Sequence, residues 1–297
     1  MNLNYYTLTA IEGISVGHVT LAKQGTGCSV ILCPPHTVCG IAQNGGGSGT
    51  RETDGFRGGT LVECVDAIAF SGGSVFGLSV ADGVLKYLCE HERGMRTAGG
   101  IIPLVPTAII YDLLVGDNNS FPDAAMGYEA CVNASILPVK SGRIGAGTGA
   151  TTNKHGGIKT ARPSGIGNAG AQVSLEIKMA VMLVVNAFGD VVDPTRDLSG
   201  AERSIIIGPG DKARPVENTV LGVVATNASL SKDELTIVAR MAQSGLARAI
   251  YPCHTPFDGD TIFAISTGTK PYDVFSLGAL AQRLTQEAVY DAINSVR

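Results

Sequence analysis

The sequence is poor in charge and has no basic run. Only 16% of its 297 residues are charged, and the formal net charge is −4. A surface that binds nucleic-acid phosphates needs clustered lysine and arginine, whereas the 22 such residues here are scattered, so no nucleic-acid partner is expected. With 44% hydrophobic residues and 39 glycines, the composition favours a compact globular chain.

A stretch long enough to cross a membrane is also missing. The longest apolar segment, residues 101–115, is interrupted by Pro103, Pro106 and Asp112 and is too short for a bilayer. Residues 1–15 have no positively charged start and no continuous apolar core, which disfavours a secretory signal. The sequence therefore predicts no membrane role and a cytoplasmic location.

The seven cysteines lack the spacing of a disulfide framework or a zinc site. Their number is odd and most of them lie within apolar runs, which is typical of reduced core thiols. No pair has the CxxC spacing of a zinc site. We therefore expect free thiols.

Residues 251–260 contain several residue types that bind metals. His254, Asp258 and Asp260 have suitable side chains, but the proline and glycine between them favour a turn over a ligand cage. A thiol–imidazole pair of Cys253 and His254 is disfavoured, because neighbours on an extended segment point to opposite faces. We therefore expect neither a metal nor a cofactor.

The glycine-rich tracts lack the context of nucleotide-binding motifs. Residues 43–54 contain no Walker loop and no Gly-x-Ser-x-Gly elbow, so this tract permits close approach of another backbone or of a substrate. Residues 165–170 match GxGxxG, but the run after them, 173–185, favours a strand over the required helix. No dinucleotide site is predicted.

The order of the predicted elements indicates an α+β or layered α/β core. Apolar periodicity and capping signals predict these elements: short strands within 5–33, a strand at 66–70, a helix at 75–90 with Ser74 as N-cap, a strand at 179–188, a strand from Thr219, a helix after the capping box 231–234, a strand from Thr261 and a helix at 274–296.

Five polar residues stand at the ends of these apolar strands or in glycine loops: Lys154, Asn186, Thr219, Asp258 and Asp260. Thr219 follows a charged, proline-containing loop at 214–217. A threonine hydroxyl needs a base, and none of the five histidines has the context of a Ser-His-Asp set. A cut before Thr219 would release an α-amine with a pKa of about 7.7–8.0, which a nearby Lys154 would lower further.

Structural explanations of these residues remain open. Thr219 is also suited simply to begin a strand, because threonine favours strands. Asp258 and Asp260 are suited to an acidic turn that precedes a strand. From the residues alone, neither explanation can be set aside.

Two motifs resemble a known family. Glu-Asn-Thr followed by Gly-Val-Val-Ala-Thr-Asn at 217–227, and His-Thr-Pro-Phe-Asp-Gly-Asp-Thr at 254–261, resemble the L-aminopeptidase/D-esterase and β-aminopeptidase family, whose relatives include the nylon-oligomer hydrolases. The resemblance continues through upstream motifs and covers nearly the whole chain; these motifs are at 13–18, 49–54, 71–77, 115–117, 145–154 and 185–190.

The resemblance implies a layered α/β/β/α sandwich of the type shared with ornithine acetyltransferases, built from a single catalytic domain over 1–297. It further implies autocatalytic cleavage between Asn218 and Thr219 into associated subunits, 1–218 and 219–297. The Thr219 hydroxyl would attack the Asn218 carbonyl, with an N→O acyl shift. The mature Thr219 would then attack an amide or ester substrate.

The resemblance also implies site roles and partners. Asn186 would form the oxyanion hole, while Lys154, Asp258 and Asp260 would orient the nucleophile, and Tyr111 would line the substrate pocket. The implied enzyme is an aminopeptidase or amidohydrolase that acts on small peptides or amides, including β-amino or D-amino acid derivatives, and it assembles as a tetramer of cleaved units. Threonine instead of serine as nucleophile separates it from the aminopeptidase branch.

Two alternatives remain at this stage. An acyltransferase of the ornithine acetyltransferase type would use the same acyl-Thr219 intermediate but pass the acyl group to an amine. A non-catalytic member of the family would keep the fold without cleavage at Asn218.

Overall fold

The computed structural model describes residues 6–117, 119–192 and 218–297. The loop at 214–217 lies outside this range. The strands of the described residues are β1 (Ser15–Leu21), β2 (Thr26–Leu32), β3 (Val38–Gly45), β4 (Thr50–Arg51), β5 (Ala67–Ser71), β6 (Met95–Thr97), β7 (Gly100–Ile102), β8 (Thr107–Ile109), β9 (Thr151–Thr152), β10 (Arg162–Pro163), β11 (Ile166–Gln172), β12 (Lys178–Asn186), β13 (Asp190–Val191), β14 (Thr219–Ser229), β15 (Ile250–Tyr251) and β16 (Gly259–Pro271).

The helices fall into two pairs along the chain. The α-helices in the described residues are α1 (Val80–Glu90), α2 (Ala124–Val132), α3 (Lys232–Ala249) and α4 (Val274–Asn294), and short 3-10 helices occur at Leu8–Ala10, Asp54–Phe56, Ser74–Ser79, Gly145–Gly147 and Ile158–Thr160. The predicted capping box begins α3: Ser231 accepts from the Glu234 amide, and Glu234 accepts from the Ser231 amide at 2.8 Å.

Two five-stranded sheets form the centre of the molecule. The first has the order β1-β2-β5-β8-β4, and the second has the order β11-β12-β14-β16-β3. In the second sheet, β14 pairs antiparallel with β12 and parallel with β16. β12 and β14 are buried on both faces, which explains why their sequences are nearly continuous apolar runs.

Three hydrophobic cores separate four layers. The core between the sheets contains Phe70 of the first sheet and Phe263 of the second, with ring centroids 6.1 Å apart. A second core joins the second sheet to α3 and α4, and a third joins the first sheet to α1 and α2. The expected α/β/β/α sandwich is thus confirmed.

One predicted helix start is wrong. Ser74 was expected to cap a helix at 75–90, but Ser74–Ser79 form a 3-10 helix and α1 begins only at Val80. Ser74 has φ +54° and makes no side-chain cap bond, because the preceding Gly73 amide is bound by the Asp112 side chain at 2.7 Å. This buried anchor bends the backbone where local sequence favours a regular helix.

The GxGxxG match, the cysteines and the helix lengths also bear on the sequence predictions. The GxGxxG match at 165–170 falls mostly within β11, so the strand–turn–helix context of a dinucleotide site is absent there. All seven cysteines lie in the described part of the chain and are free thiols. Among residues 6–117, 119–192 and 218–297, no helix combines the length and apolar character that a bilayer span requires.

Candidate active site

Thr219 is the first residue of β14, as the sequence predicts, and its side chain faces the first sheet. It is paired in register with Asn186 at the end of β12, two residues from the Leu221–Val184 pair that packs between the sheets. Thr219 and Asn218 are each 3% exposed. The nucleophile candidate is therefore held in a nearly water-free position at a strand end.

The carbonyl oxygen of Asn218 accepts two hydrogen bonds. The Thr219 hydroxyl donates to it from the adjacent residue, and the Gly259 amide donates to it at 3.0 Å. These two donors polarise the carbonyl group that lies on the N-terminal side of the Asn218–Thr219 bond. The hydroxyl of Thr219 thus stands beside the carbonyl that it would attack in self-cleavage.

Lys154 and Asn186 form a buried polar pair. The Lys154 ammonium donates to the Asn186 side-chain oxygen at 2.8 Å and to its backbone oxygen at 3.2 Å. The Thr151 amide donates to the same side-chain oxygen at 3.1 Å, and the Asn186 Nδ2 group donates to the Tyr111 carbonyl at 3.1 Å. Because two donors meet the side-chain oxygen, the amide orientation of Asn186 is fixed.

Tyr111 contacts Asn186 of this pair through its backbone carbonyl group. Its half-buried side chain lines a cavity of about 30 Å³ beside Lys154. The cavity walls combine polar and apolar residues: Tyr111, Leu114, Val115, Thr151, Lys154, Gly157 and Ile158. The position is compatible with the predicted pocket role, which remains a prediction.

Asp258 anchors backbone on both sides of the site. One of its oxygens accepts from the Phe188 amide at 3.3 Å, and the other accepts from the Thr255 amide at 2.8 Å and the Thr255 hydroxyl at 2.6 Å. Burial, and then the charge of Asp260, raise the pKa of this carboxyl group, although the Thr255 bonds oppose the shift. Asp258 thereby joins the loop after β12 to the turn before β16.

Asp260 lies on the opposite face of the second sheet from the Thr219 side chain. Two residues farther along β16, Ile262 packs against the helices. One Asp260 oxygen accepts from the Val220 amide at 2.7 Å, and the other contacts His254 Nδ1 at 2.7 Å. Asp260 therefore holds the backbone next to Thr219, and its hydrogen bonds do not reach the hydroxyl.

The structure brings the seven predicted site residues to one end of the second sheet. Lys154, Asn186 and the Tyr111 backbone form one group, and Asn218, Thr219, Asp258 and Asp260 form the other. The register pair Asn186–Thr219 joins the two groups. Their catalytic roles remain predictions.

Sequence reasoning missed Gly259 and His254. Gly259 was interpreted only as a turn residue, yet its amide binds the Asn218 carbonyl. A Cβ atom at this position would lie 2.4 Å from the Gly47 carbonyl oxygen, so the first glycine tract approaches backbone here. His254 was set aside, although the motif His-Thr-Pro-Phe-Asp-Gly-Asp contained it. The contact between His254 and Asp260 depends on how the turn folds, so it is visible in the structure and not in the sequence.

Solved structures with similar folds include two aminopeptidases. A β-aminopeptidase from Burkholderia sp. aligns with a TM-score of 0.75 at 20% identity, covering 100% of this chain and 88% of that chain. An L-aminopeptidase D-Ala-esterase/amidase from Ochrobactrum anthropi, described as a variant of the Ntn hydrolase fold, aligns with a TM-score of 0.80 at 18% identity and the same coverages. The fold is that of this hydrolase class.

Sequence comparison identifies the family. Residues 7–296 match the profile of Peptidase family S58. A protein named as an uncharacterized aminopeptidase of Mycobacterium leprae (strain TN) is 40% identical over 88% of this chain and 78% of its own length. A 6-aminohexanoate-oligomer endohydrolase of Paenarthrobacter ureafaciens is 28% identical over 94% and 84%. The chain belongs to peptidase family S58, a family of aminopeptidase- and amidase-type hydrolases.

Proposed function

We propose that this hydrolase is an autoprocessing enzyme that cuts its own chain between Asn218 and Thr219 and then uses Thr219 as an N-terminal nucleophile. The observation that carries the proposal is the hydrogen bond from the Thr219 hydroxyl to the Asn218 carbonyl oxygen, with the Gly259 amide as second donor at 3.0 Å. Donors placed on a carbonyl oxygen stabilise the charge that develops there during attack.

Self-cleavage proceeds by an N→O acyl shift. The Thr219 oxygen bonds to the Asn218 carbonyl carbon, the bond from that carbon to the Thr219 nitrogen breaks, and the hydroxyl proton passes to the nitrogen. Water then hydrolyses the ester and leaves a carboxylate on Asn218. The new α-amine of Thr219 has an ordinary pKa of about 7.7–8.0, which suits a general base near neutral pH.

In the mature enzyme, the Thr219 amine removes the hydroxyl proton and later donates it to the leaving amine. The Nδ2 group of Asn186 supplies the oxyanion donor, because Lys154 and the Thr151 amide hold the oxygen of the same side chain. Asp258 and Asp260 position the nucleophile through the backbone that they anchor. The acyl-Thr219 ester is hydrolysed by water.

The proposed substrates are small peptides or amides. Named relatives include an aminopeptidase and a 6-aminohexanoate-oligomer endohydrolase, which supports amide cleavage over acyl transfer. A panel of α-amino, β-amino, D-amino and ω-amino acid amides tests this class, and turnover confined to esters would contradict it.

We also propose that the two fragments stay associated, with the cleaved unit forming a homo-oligomer, and that the protein works in the cytoplasm. Support for the first point comes from the second sheet, in which β14 and β16 lie between β12 and β3. The seven free thiols support a reducing compartment. Native gel filtration and light scattering measure the assembly.

Denaturing electrophoresis tests the processing step. Scaling the chain mass of 30.6 kDa by residue count predicts bands of about 22 and 8 kDa. The variant Thr219→Ser keeps a hydroxyl and should still form both bands, whereas Thr219→Ala should remain a single band. Two bands from Thr219→Ala, or an intact and fully active wild type, would overturn the proposal.

A further inference from the structure

Cys253, His254 and Asp260 bring three metal-ligating atoms together beside the site. Cys253 Sγ lies 3.6 Å from His254 Nδ1 and 3.8 Å from Asp260 Oδ2, and Nδ1 lies 2.7 Å from Oδ2. The sequence favoured opposite directions for Cys253 and His254, and this expectation is wrong. His254 has φ +56°, so the segment is not extended there and both side chains turn toward Asp260.

The second nitrogen of His254 already has the partner that a metal-binding histidine needs. Nε2 lies 3.2 Å from the Gln243 carbonyl oxygen, which can only accept a hydrogen bond, so Nε2 carries hydrogen. Metal-ligating histidines usually donate their other N–H group to a carbonyl or carboxylate, which fixes the ring. Because Nε2 faces the Gln243 carbonyl, Nδ1 faces Cys253 and Asp260.

Without a cation, His254 Nδ1 lies in hydrogen-bond contact with Asp260 Oδ2 at 2.7 Å. Nδ1 must hold a proton to bond the carboxylate, and Nε2 holds one already. Burial alone would lower the pKa of His254, but the hydrogen bond and charge of Asp260 outweigh it and the pKa is raised. Burial and the Asp260 charge raise the pKa of the Cys253 thiol, which stays protonated. A bound cation would replace the Nδ1 and Sγ protons, releasing both.

The donor set and spacing select the kind of cation. Thiolate, imidazole and carboxylate together favour zinc over magnesium or calcium, which prefer oxygen ligands alone. With Zn–S of about 2.3 Å and Zn–N of about 2.0 Å, a tetrahedral site separates S and N by about 3.5 Å. The observed separation is 3.6 Å. The Nδ1 and Oδ2 atoms need to part by roughly half an ångström from their hydrogen-bonded contact.

We propose that Cys253, His254 and Asp260 form a binding site for one zinc ion, with water as fourth ligand. The His254 side chain is 20% exposed and gives access from solvent. Asp260 also accepts from the Val220 amide at 2.7 Å, so movement of its carboxylate toward zinc displaces the backbone after Thr219. Zinc should therefore inhibit the enzyme, a consequence that rests on the proposed function.

Cobalt and zinc binding to the full chain tests the site without any activity measurement. One equivalent of Co²⁺ should give a thiolate-to-metal absorption band, and Zn²⁺ should remove it. Cys253→Ser should abolish the band and weaken zinc binding at least about ten-fold, and His254→Gln should weaken it similarly. Cys89→Ser, at an exposed thiol, is the matched control and should bind as wild type. Equal binding by Cys253→Ser, or no binding by wild type, would overturn the site.

Two further arms separate this site from the proposed function. The Thr219→Ala chain should bind zinc like wild type, so binding stands or falls independently of processing. Zinc that just saturates wild type should lower its turnover at least about five-fold, while Cys253→Ser should need at least about ten-fold more zinc for the same inhibition relative to its own metal-free rate. Zinc bound at this site without loss of turnover would refute the inhibitory consequence.

Discussion

The contacts of Thr219 and Asn218 place the proposed chemistry at a few buried atoms. The hydroxyl and the Gly259 amide both meet the Asn218 carbonyl oxygen, and Asn186 lies opposite Thr219 on the next strand. The carboxyl groups of Asp260 and Asp258 act through the neighbouring backbone. Asp260 accepts a hydrogen bond from the Val220 amide, and Asp258 accepts one from the Phe188 amide. The proposed nucleophile, the hydrogen-bond donors and the anchoring carboxyl groups are thus different residues, and their roles can be tested separately.

The Asn186 amide gives the most direct test of the oxyanion role. Asn186→Asp keeps an oxygen for Lys154 and for the Thr151 amide but lacks the Nδ2 donor. We expect kcat to fall by about 10²–10³-fold because one oxyanion donor is lost, and the melting temperature to fall because the new oxygen faces the Tyr111 carbonyl, which loses its donor. Steady-state kinetics and thermal melting measure the two effects.

A matched control is Asn227→Ala, which removes a side chain that binds the Glu176 carbonyl at 2.8 Å far from Thr219. Its kcat should remain within about two-fold of wild type while its stability falls slightly. Comparable loss of kcat in Asn227→Ala, or wild-type kcat in Asn186→Asp, would remove Asn186 from the mechanism.

Residue-level sequence reasoning found the polar residues but not their directions. Thr219 was identifiable because a polar residue begins an apolar run. The sequence did not show which face of the second sheet the Asp260 side chain occupies, because that depends on the strand beginning at Gly259. His254 could not be recognised from alternation, since its positive φ breaks the extended pattern.

At the scale of elements, the turn before β16 packs against the glycine-rich residues 43–54. The Gly47 amide donates to the Asp258 carbonyl at 2.9 Å, and a Cβ atom on Gly259 would meet the Gly47 oxygen at 2.4 Å. Of the two interpretations offered by the sequence, close approach to backbone is the one that these contacts support. Glycine here lets the Gly259 amide reach Asn218.

Gly259→Ala should therefore slow self-cleavage. The added methyl group must displace Gly47 or the turn, at a cost of about 1–3 kcal/mol, and so moves the amide away from the Asn218 carbonyl. We expect at least a ten-fold slower appearance of the two fragments in a time course on denaturing gels.

Gly99→Ala is the control for that substitution, because the nearest heavy atom to its added Cβ is 3.9 Å away. It should process at the wild-type rate. If Gly259→Ala also processes at that rate, the Gly259 amide has no part in the reaction.

A buried pair on the first sheet, His18 of β1 and Ser29 of β2, contacts the glycine-rich motif at 145–154. His18 Nδ1 lies 2.8 Å from the Ser29 hydroxyl, which also accepts from the Ala146 amide at 3.0 Å. Burial lowers the pKa of His18 from 6.5 to about 4. The folded state thus holds this ring neutral, while the unfolded chain takes up a proton below pH 6.5.

The stabilising contribution of neutral His18 is present above pH 6.5 and is lost as the pH falls toward 4. In the uncleaved Thr219→Ala background, wild-type His18 should lose about 2 kcal/mol more than His18→Asn between pH 7.5 and 4.5, allowing for partial exposure of the ring. Urea unfolding at both pH values measures this difference. The exposed His36→Asn variant should follow wild type, and equal losses in all three proteins would refute the assignment.

At the scale of elements, sequence periodicity was sufficient to predict a helix or strand where the local preference of the residues agrees with their packing in the fold. The capping box of α3 and the buried strands β12 and β14 are examples. It failed at Ser74, where the Asp112 carboxylate binds Gly73 from 39 residues away and replaces the expected cap. Such a long-range anchor leaves no local sequence signal.

At the scale of the whole molecule, the proposed cut divides one sheet between two fragments. Residues before the cut supply β11, β12 and β3, and residues after it supply β14 and β16 between them. Separation of the fragments would expose two hydrophobic cores, the one between the sheets and the one between the second sheet and α3 and α4, because both contain residues from each fragment. We therefore expect the fragments to co-elute in native gel filtration and to separate only in denaturant.

The sandwich itself was predictable from motifs spread along the whole chain, whereas the partition of strands between two sheets was not. Alternation along β12 sends Met182 to the core between the sheets and Leu183 to the helices, and only the complete fold shows which layer covers each face. The register that pairs Asn186 with Thr219 depends on that partition.

Mass spectrometry of the purified protein after brief mixing with an activated ester directly tests whether Thr219 is an N-terminal nucleophile. We expect a fragment of about 8 kDa, obtained by scaling 30.6 kDa by residue count, that begins at Thr219 and gains the mass of one acyl group. The adduct should disappear as product forms. An acyl group found only on the other fragment, or steady turnover by a chain whose Asn218–Thr219 bond is intact, would show that Thr219 is not the N-terminal nucleophile.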